Sequence, residues 1–141
     1  MRLELTRRAD YAVRAMLALS AASPDEHLSV RRIAASMAIP HRFLPQVMQD
    51  LARAGLVHAR TGRRGGYRLT RTAAAIPLLE VIEAVEGDGR RRTCVLRGGP
   101  CGRDGQCAVH DVFSAAQQAM LDHLASATFS DLAGRLSSPT K

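Results

Sequence analysis

Residues 29–55 read SVRRIAASMAIPHRFLPQVMQDLARAG, an order that predicts two short helices joined by a tight turn. Ser29 is placed to cap the first helix, because its side chain can accept a hydrogen bond from a free backbone N–H. Residues 38–40, with a proline, make the turn, and the second helix is predicted over about residues 41–54. This pattern favours a helix-turn-helix unit.

The second helix of the pair has two chemically different faces. Its apolar stripe is predicted to be buried and consists of Leu44, Val47, Met48 and Leu51. The opposite face is polar, and its residues are predicted to contact DNA: His41, Arg42, Gln46, Gln49 and Arg53. Arg42 and Gln46 suit the edges of guanine and adenine respectively.

A hairpin is predicted directly after this helix. Residues 56–60 alternate as a strand, and residues 67–70 can return antiparallel to it. The wing tip between them, residues 61–66, reads TGRRGG and carries Arg63 and Arg64, which are predicted to lie along phosphates or in the minor groove. With a capped first helix over about residues 6–22, the fold class is mainly α with a small β-hairpin wing, a winged helix-turn-helix.

The positive charge of the chain is concentrated in this first half. Residues 1–72 carry 13 Lys and Arg against 5 Asp and Glu, whereas residues 73–141 carry 7 against 8. The net charge is therefore +8 in the first half and −1 in the second, which indicates that the first half binds a polyanion such as duplex DNA. The alternative is a three-helix bundle with a hairpin that docks another protein. Its basic face would then serve only to keep the surface solvated.

All three cysteines of the chain lie within fourteen consecutive residues: Cys94, Cys101 and Cys107. The loop between them is rich in glycine and contains a proline, so its turns can aim several sulfurs at one point. His110 stands three residues beyond Cys107, where both side chains share one helix face. A Cys₃His zinc site fits these residues, and so does an iron–sulfur cluster of three thiolates and one other ligand. Free or disulfide-forming cysteines are the simpler alternative.

A long amphipathic helix is predicted after the cysteines and a shorter one, over about residues 76–85, before them. The apolar stripe of the long helix consists of Val109, Val112, Phe113, Ala116, Met120 and Leu124. Because so small a chain cannot easily cover this stripe, a twofold homodimer is expected, which also suits a pseudo-palindromic DNA site. Thr128 and Asp131 are placed to cap a last short helix.

These features divide the chain into functional segments. They are a DNA-binding domain at 1–72, a connecting helix and linker at 73–93, a cysteine loop at 94–110, a dimerisation helix at 108–127, and a short helix and tail at 128–141. No apolar run suggests a leader or a membrane span, so a cytoplasmic protein with no membrane partner is expected. Motifs of zinc hydrolases, thiol oxidoreductases and nucleotide-binding enzymes are missing, so an enzyme is the less favoured class.

The chain resembles the winged-helix iron–sulfur transcriptional regulators, the family of IscR, NsrR and RirA, over nearly its whole length. The strings that carry the resemblance are ADYAVRAM at 9–16, FLPQV at 43–47, GLV at 55–57, GGYRL at 65–69 and EVIEAVEG at 80–87. The resemblance implies a homodimer in which Cys94, Cys101 and Cys107 ligate a four-iron or two-iron cluster. It also implies a fourth ligand, either Asp10 of the other subunit or His110.

One spacing departs from the family pattern, since six residues separate Cys94 from Cys101 against the more usual five. The function that the resemblance implies is a cluster-sensing regulator, a repressor, that responds to nitric oxide, oxidant or iron status. A thiol-redox or zinc-dependent regulator that uses the same three cysteines is the alternative.

Overall fold

The computed structural model describes residues 1–89, 95–96 and 107–136. Its elements, in chain order, are α1 (Arg7–Ala21), α2 (Val30–Met37), α3 (Leu44–Arg53), β1 (Val57–Arg60), β2 (Gly66–Leu69), a 3-10 turn (Ala73–Ala75), α4 (Leu78–Glu86), α5 (His110–Ser126) and α6 (Phe129–Leu136). The predicted fold class, mainly α with one β-hairpin wing, is therefore confirmed.

The helix caps expected from the sequence are present at three helices. The Thr6 hydroxyl accepts from the Ala9 N–H at 3.2 Å and begins α1, and Ser29 accepts from the Arg32 N–H at 3.2 Å and begins α2. At α6 the Thr128 hydroxyl accepts from the Asp131 N–H at 3.3 Å and donates to the Asp131 carboxylate at 3.0 Å. These hydrogen bonds satisfy N–H groups that have no partner inside their own helix.

The start of α3 differs from the prediction, because this helix begins at Leu44 and not near His41. Pro45 has no N–H, so it cannot donate to the His41 carbonyl as an α-helix begun at residue 41 would require. The chain makes a turn there instead, with Leu44 N–H donating to the His41 carbonyl at 3.4 Å and Phe43 N–H to the Pro40 carbonyl at 3.1 Å. His41 and Arg42 therefore lie in a turn ahead of the helix.

The bounds of α4 and α5 also differ slightly from the predicted ones. Ile76 is fully buried in extended conformation and accepts from the Phe129 N–H at 3.0 Å, so α4 begins two residues later, after Pro77. The first turn of α5 begins at His110, whose N–H donates to the Cys107 carbonyl at 3.1 Å. Cys107 thus lies three residues before the first residue of the helix.

The wing is a two-stranded antiparallel hairpin that is fixed to the helices. Val57 pairs with Leu69 and Arg60 with Gly66 at the two ends of the register. Leu28, just before α2, adds an isolated bridge, with N–H···O distances to Tyr67 of 2.9 and 2.8 Å. This bridge ties the position of the wing to the start of α2.

The core lies around α1, which packs on α2, α3, α4, α6 and the wing. The largest fully buried side chains are Met16, Ile33, Leu44, Met48, Leu51, Leu56, Ile76, Val81 and Phe129. Because these residues come from both halves of the chain, α6 shares one core with the helix-turn-helix. No helix in the described ranges is long and apolar enough to cross a membrane.

Candidate nucleic-acid interface and cysteine loop

The polar side of α3 and the turn before it are exposed, as the sequence predicts. We call this surface the reading face; its residues, all exposed, are His41, Arg42, Gln46, Gln49 and Arg53. Beneath it the apolar side of the helix is buried in the core through Leu44, Val47, Met48 and Leu51. The core thus fixes the rotation of α3, and the reading face points outward.

Stacked rings hold the turn before α3 on α1. The rings of Phe43 and Tyr11 stack with their centroids 6.0 Å apart. The guanidinium of Arg42 lies over the Phe43 ring, 4.6 Å from its centroid, within cation–π range. The Arg42 guanidinium is therefore positioned by the Phe43 ring, which stacks on Tyr11 of α1, although Arg42 lies outside α3.

A buried carboxylate lies within α3 beside the reading face. Asp50 is 8% exposed and accepts hydrogen bonds from Arg8 of α1 and from Gln46, the latter at 3.2 Å, while Arg53 lies 3.6 Å away. Burial raises the pKa of this carboxyl, but the hydrogen bonds from Arg8 and Gln46 and the charges of Arg8 and Arg53 outweigh it. The pKa of Asp50 therefore lies below its ordinary value, and the group is ionised at neutral pH.

The wing tip presents Arg63 and Arg64, both exposed. Its turn is closed by the Gly65 N–H, which donates to the Gly62 carbonyl at 3.0 Å, and Gly62 has a φ of 102°. Two exposed cations on a closed turn are suited to contacts with phosphates.

A histidine pair lies beside the wing, and no spacing in the sequence predicts it. The rings of His27 and His58 are 6.4 Å apart, and Nε2 of His27 is buried without a hydrogen-bond partner in the described part of the chain. Desolvation lowers the pKa of His27, and the nearby charges of Arg68, Arg60 and His58 lower it further. His27 is therefore a neutral packing group of the wing at neutral pH.

Two of the three predicted cysteine ligands, Cys94 and Cys101, lie outside the described residues. Cys107 is half-buried and sits one turn before His110, whose Nε2 is 3.4 Å from the Ser114 hydroxyl. A backbone hydrogen bond of 3.1 Å joins the His110 N–H to the Cys107 carbonyl, and the shared ligand role of the two side chains stays a prediction. Among the described residues alone, no group of three or more His, Cys, Asp or Glu side chains is placed to hold a metal ion.

Asp10, the other predicted fourth ligand, lies half-exposed on α1. Its two carboxylate oxygens accept from Arg14, at 2.8 Å from Nε and 3.1 Å from Nη2. Arg14 also donates through Nη1 to the carbonyl of Met37, the last residue of α2, at 3.3 Å. The Asp10 carboxylate is therefore linked to the helix-turn-helix through one arginine.

The outer side of α5 exposes apolar side chains. Val112 is 69% exposed and Phe113 is 39% exposed, whereas Leu121 on the other side of the helix is buried. Of the predicted stripe, Ala116 is also exposed, and Val109, Met120 and Leu124 are half-buried. The exposed part of the stripe lies in the first two turns of α5.

The sequence model of the Rrf2 family, described as iron-dependent transcriptional regulators, matches residues 5–135. Protein aau3 of Rhizobium meliloti (strain 1021) is 33% identical over 92% of this chain and 84% of its own length. The transcriptional regulator NsrR of Bacillus licheniformis is 30% identical over 92% of each chain.

Solved structures show the same architecture. CymR of B. subtilis, described as its global cysteine regulator, superposes with a TM-score of 0.80 and 25% identity, over 95% of this chain and 98% of the other. The winged helix-turn-helix and the helices that follow it are thus common to both proteins.

Proposed function

Because the chain belongs to the Rrf2 family of transcriptional regulators, we propose that it is a homodimeric repressor whose cysteine loop holds an iron–sulfur cluster. That the protein is a DNA-binding regulator follows from the family. The observation that carries the assignment to particular residues is the reading face, an exposed polar surface fixed over a buried apolar stripe. The cluster, the dimer and the signal are the proposed parts.

The reading face would enter the major groove, with Arg42 and Gln46 at base edges and Arg53 near a phosphate. Arg63 and Arg64 at the wing tip would contact the backbone of the same half-site. The net charge of +8 over residues 1–72 supports such an interface, because each phosphate contact releases counterions.

The residues of the cysteine loop suit an iron–sulfur group. Three thiolates are the usual donors for such a cluster, and the half-buried Cys107 lies beside His110 in one turn. When bound, the cluster would supply iron that reacts with nitric oxide, oxidant or chelator. His110 could join it without any movement of α1, whereas Asp10 would have to share its carboxylate with Arg14.

Dimerisation is proposed through the exposed side of α5. Val112 and Phe113 are large apolar groups in water, and a second copy related by a twofold axis would cover both. Two reading faces so related would read a pseudo-palindromic site, with half-sites about 10 or 20 base pairs apart.

A zinc-dependent or thiol-redox regulator is the second candidate function. The observation that favours it is the adjacency of Cys107 and His110, since a Cys₃His zinc site uses the same pair of ligands. The DNA-binding half would be unchanged, and the two candidates differ in the metal content of oxygen-free protein.

Arg42→Ala and Arg63→Ala test the DNA interface. Arg42→Ala should lose about 1–3 kcal/mol of discrimination at one base pair, because Arg42 is predicted to bond a guanine edge.

Arg63→Ala should weaken binding to every duplex alike and lower the slope of log affinity against log salt by about 1, because it removes a phosphate contact. Fluorescence anisotropy on an operator-like and a random duplex over several salt concentrations measures both effects.

Arg31→Ala is a suitable control, because it removes the same charge from the exposed surface of α2 and not from the reading face. Equal losses for Arg42→Ala on specific and random duplexes would mean that another surface reads the bases.

A further inference from the structure

Asp50 is the one charged side chain in the described ranges that is buried, and it lies on the helix that faces DNA. A carboxylate in this place has two costs: it loses water on folding, and it repels DNA phosphates. A merely structural role would be filled more simply by an apolar residue. The contacts of Asp50 indicate what it does instead.

Three side chains from two helices converge on this carboxylate, two through hydrogen bonds and one through an ion pair. Arg8, at the start of α1, bonds Oδ2 through Nη2, while Gln46 donates to Oδ1 at 3.2 Å and Arg53 lies 3.6 Å from the same oxygen. Arg8 is 42 positions away in sequence, so this contact joins α1 directly to α3. Asp50 therefore joins two residues of the reading face, Gln46 and Arg53, to Arg8 of α1.

The hydrogen bond to Asp50 sets the direction of the Gln46 amide. Asp50 takes one of the two N–H groups of Gln46 and leaves the other N–H and the carbonyl oxygen for a ligand. One donor and one acceptor side by side are what the major-groove edge of adenine requires. Without the carboxylate, the amide could turn and offer the opposite order.

The two arginines offset the charge of Asp50 and remain available to DNA. The side chains of Arg8 and Arg53 are 58% and 75% exposed, so each keeps guanidinium N–H groups in solvent. The free groups of Arg53 belong to the reading face, and those of Arg8 lie beside it, where phosphates would pass.

We propose that Asp50 is a specificity-determining positioning residue, which orients Gln46 toward a base edge and fixes Arg8 and Arg53 beside it. This inference rests on the proposed DNA interface of α3. Asp50 itself touches no base; it acts through the residues that it holds.

The test is selection of duplexes from a randomised DNA library by the wild-type protein and by four variants: Asp50→Ala, Gln46→Ala, Arg8→Ala and Arg7→Ala. We expect Asp50→Ala to lose base preference at the same position as Gln46→Ala, with a drop of about tenfold in the ratio of specific to random binding. Binding to random duplex should stay equal or rise, because a negative charge is removed. If the Asp50→Ala protein kept the base preference that the Gln46→Ala protein loses, the inference would be overturned.

Arg7→Ala is the matched control for Arg8→Ala, because both remove one exposed cation from the first turn of α1. Within the described ranges, only Arg8 and Arg53 form ion pairs with Asp50. Arg8→Ala should lower specific binding more than Arg7→Ala does, and equal effects would contradict the role of Asp50.

Asp50→Asn covers the case in which Asp50→Ala does not fold. It keeps the shape and one acceptor for Gln46 but loses the charge that pairs with Arg8 and Arg53. It should therefore retain the base preference but have a lower ratio of specific to random binding than the wild type. A wild-type protein that enriches no sequence would contradict the proposed DNA interface itself, and this inference with it. A wild-type protein that enriches a site, with unchanged base preference in Asp50→Ala, or with a wild-type ratio of specific to random binding in Asp50→Asn, would overturn the inference alone.

Discussion

Gly66→Ala is expected to lower the free energy of unfolding by about 2–4 kcal/mol and to displace the wing. Gly66 has a φ of 152°, which an alanine rarely adopts. A Cβ there would overlap the carbonyl of Leu28 and lie 2.8 Å from the N atom of Ser29, the cap of α2. These atoms are backbone and cannot turn away, so the bridge between Leu28 and Tyr67 must open.

Thermal unfolding measures the loss of stability. A lower affinity for random duplex would show that the wing has been displaced. Gly134→Ala is the matched control, since a Cβ at that position in α6 meets nothing within 4 Å. It should be neutral or stabilising by up to about 1 kcal/mol, because alanine favours a helix more than glycine does. A Gly66→Ala protein as stable as the wild type would mean that the wing is not held as described.

Phe129→Ala is expected to lower the free energy of unfolding by about 3–5 kcal/mol, the range for the removal of a large aromatic side chain from a packed core. Phe129 is fully buried, at the start of α6, and its N–H donates to the Ile76 carbonyl. Because α6 packs on α1, the cavity would open between the C-terminal helices and the helix-turn-helix. Chemical denaturation followed by circular dichroism measures the loss.

Leu136→Ala, in the same helix, is the control, because Leu136 is 53% exposed and its truncation should change stability by no more than about 0.5 kcal/mol. If Phe129→Ala unfolded only α6 and left the melting of the winged helix unchanged, the two halves would not share one cooperative core.

Most of the fold could be predicted from the sequence, because periodicity and capping are local. The stripe of Leu44, Val47, Met48 and Leu51 specified the buried side of α3, and Thr6, Ser29 and Thr128 specified where three helices begin. The predicted start of α3 was wrong. Because Pro45 has no N–H, it also prevents the residues before the helix, from His41 on, from forming a helical turn.

The contacts of the candidate site could be predicted only in part, since they join residues distant in sequence. The reading face is exposed as its spacing implied, but Asp50 was placed on no functional surface, because its partner Arg8 is 42 residues away. Two local signals were available, since Asp50 stands four residues after Gln46 and three residues before Arg53, both spacings at which side chains meet on a helix. The ligand roles of Cys94, Cys101 and Cys107, that of Asp10 or His110 as fourth ligand, and the division of the chain into five segments stay predictions.

One measurement addresses the cluster most directly. Iron and acid-labile sulfide are determined in protein purified without oxygen, and affinity for a selected duplex is measured on that preparation before and after the cluster is removed with a chelator. We expect both elements to be bound, and the affinity to change by about tenfold or more on their removal. Protein that contains zinc or no metal, or an affinity that stays the same after removal, would contradict the proposal.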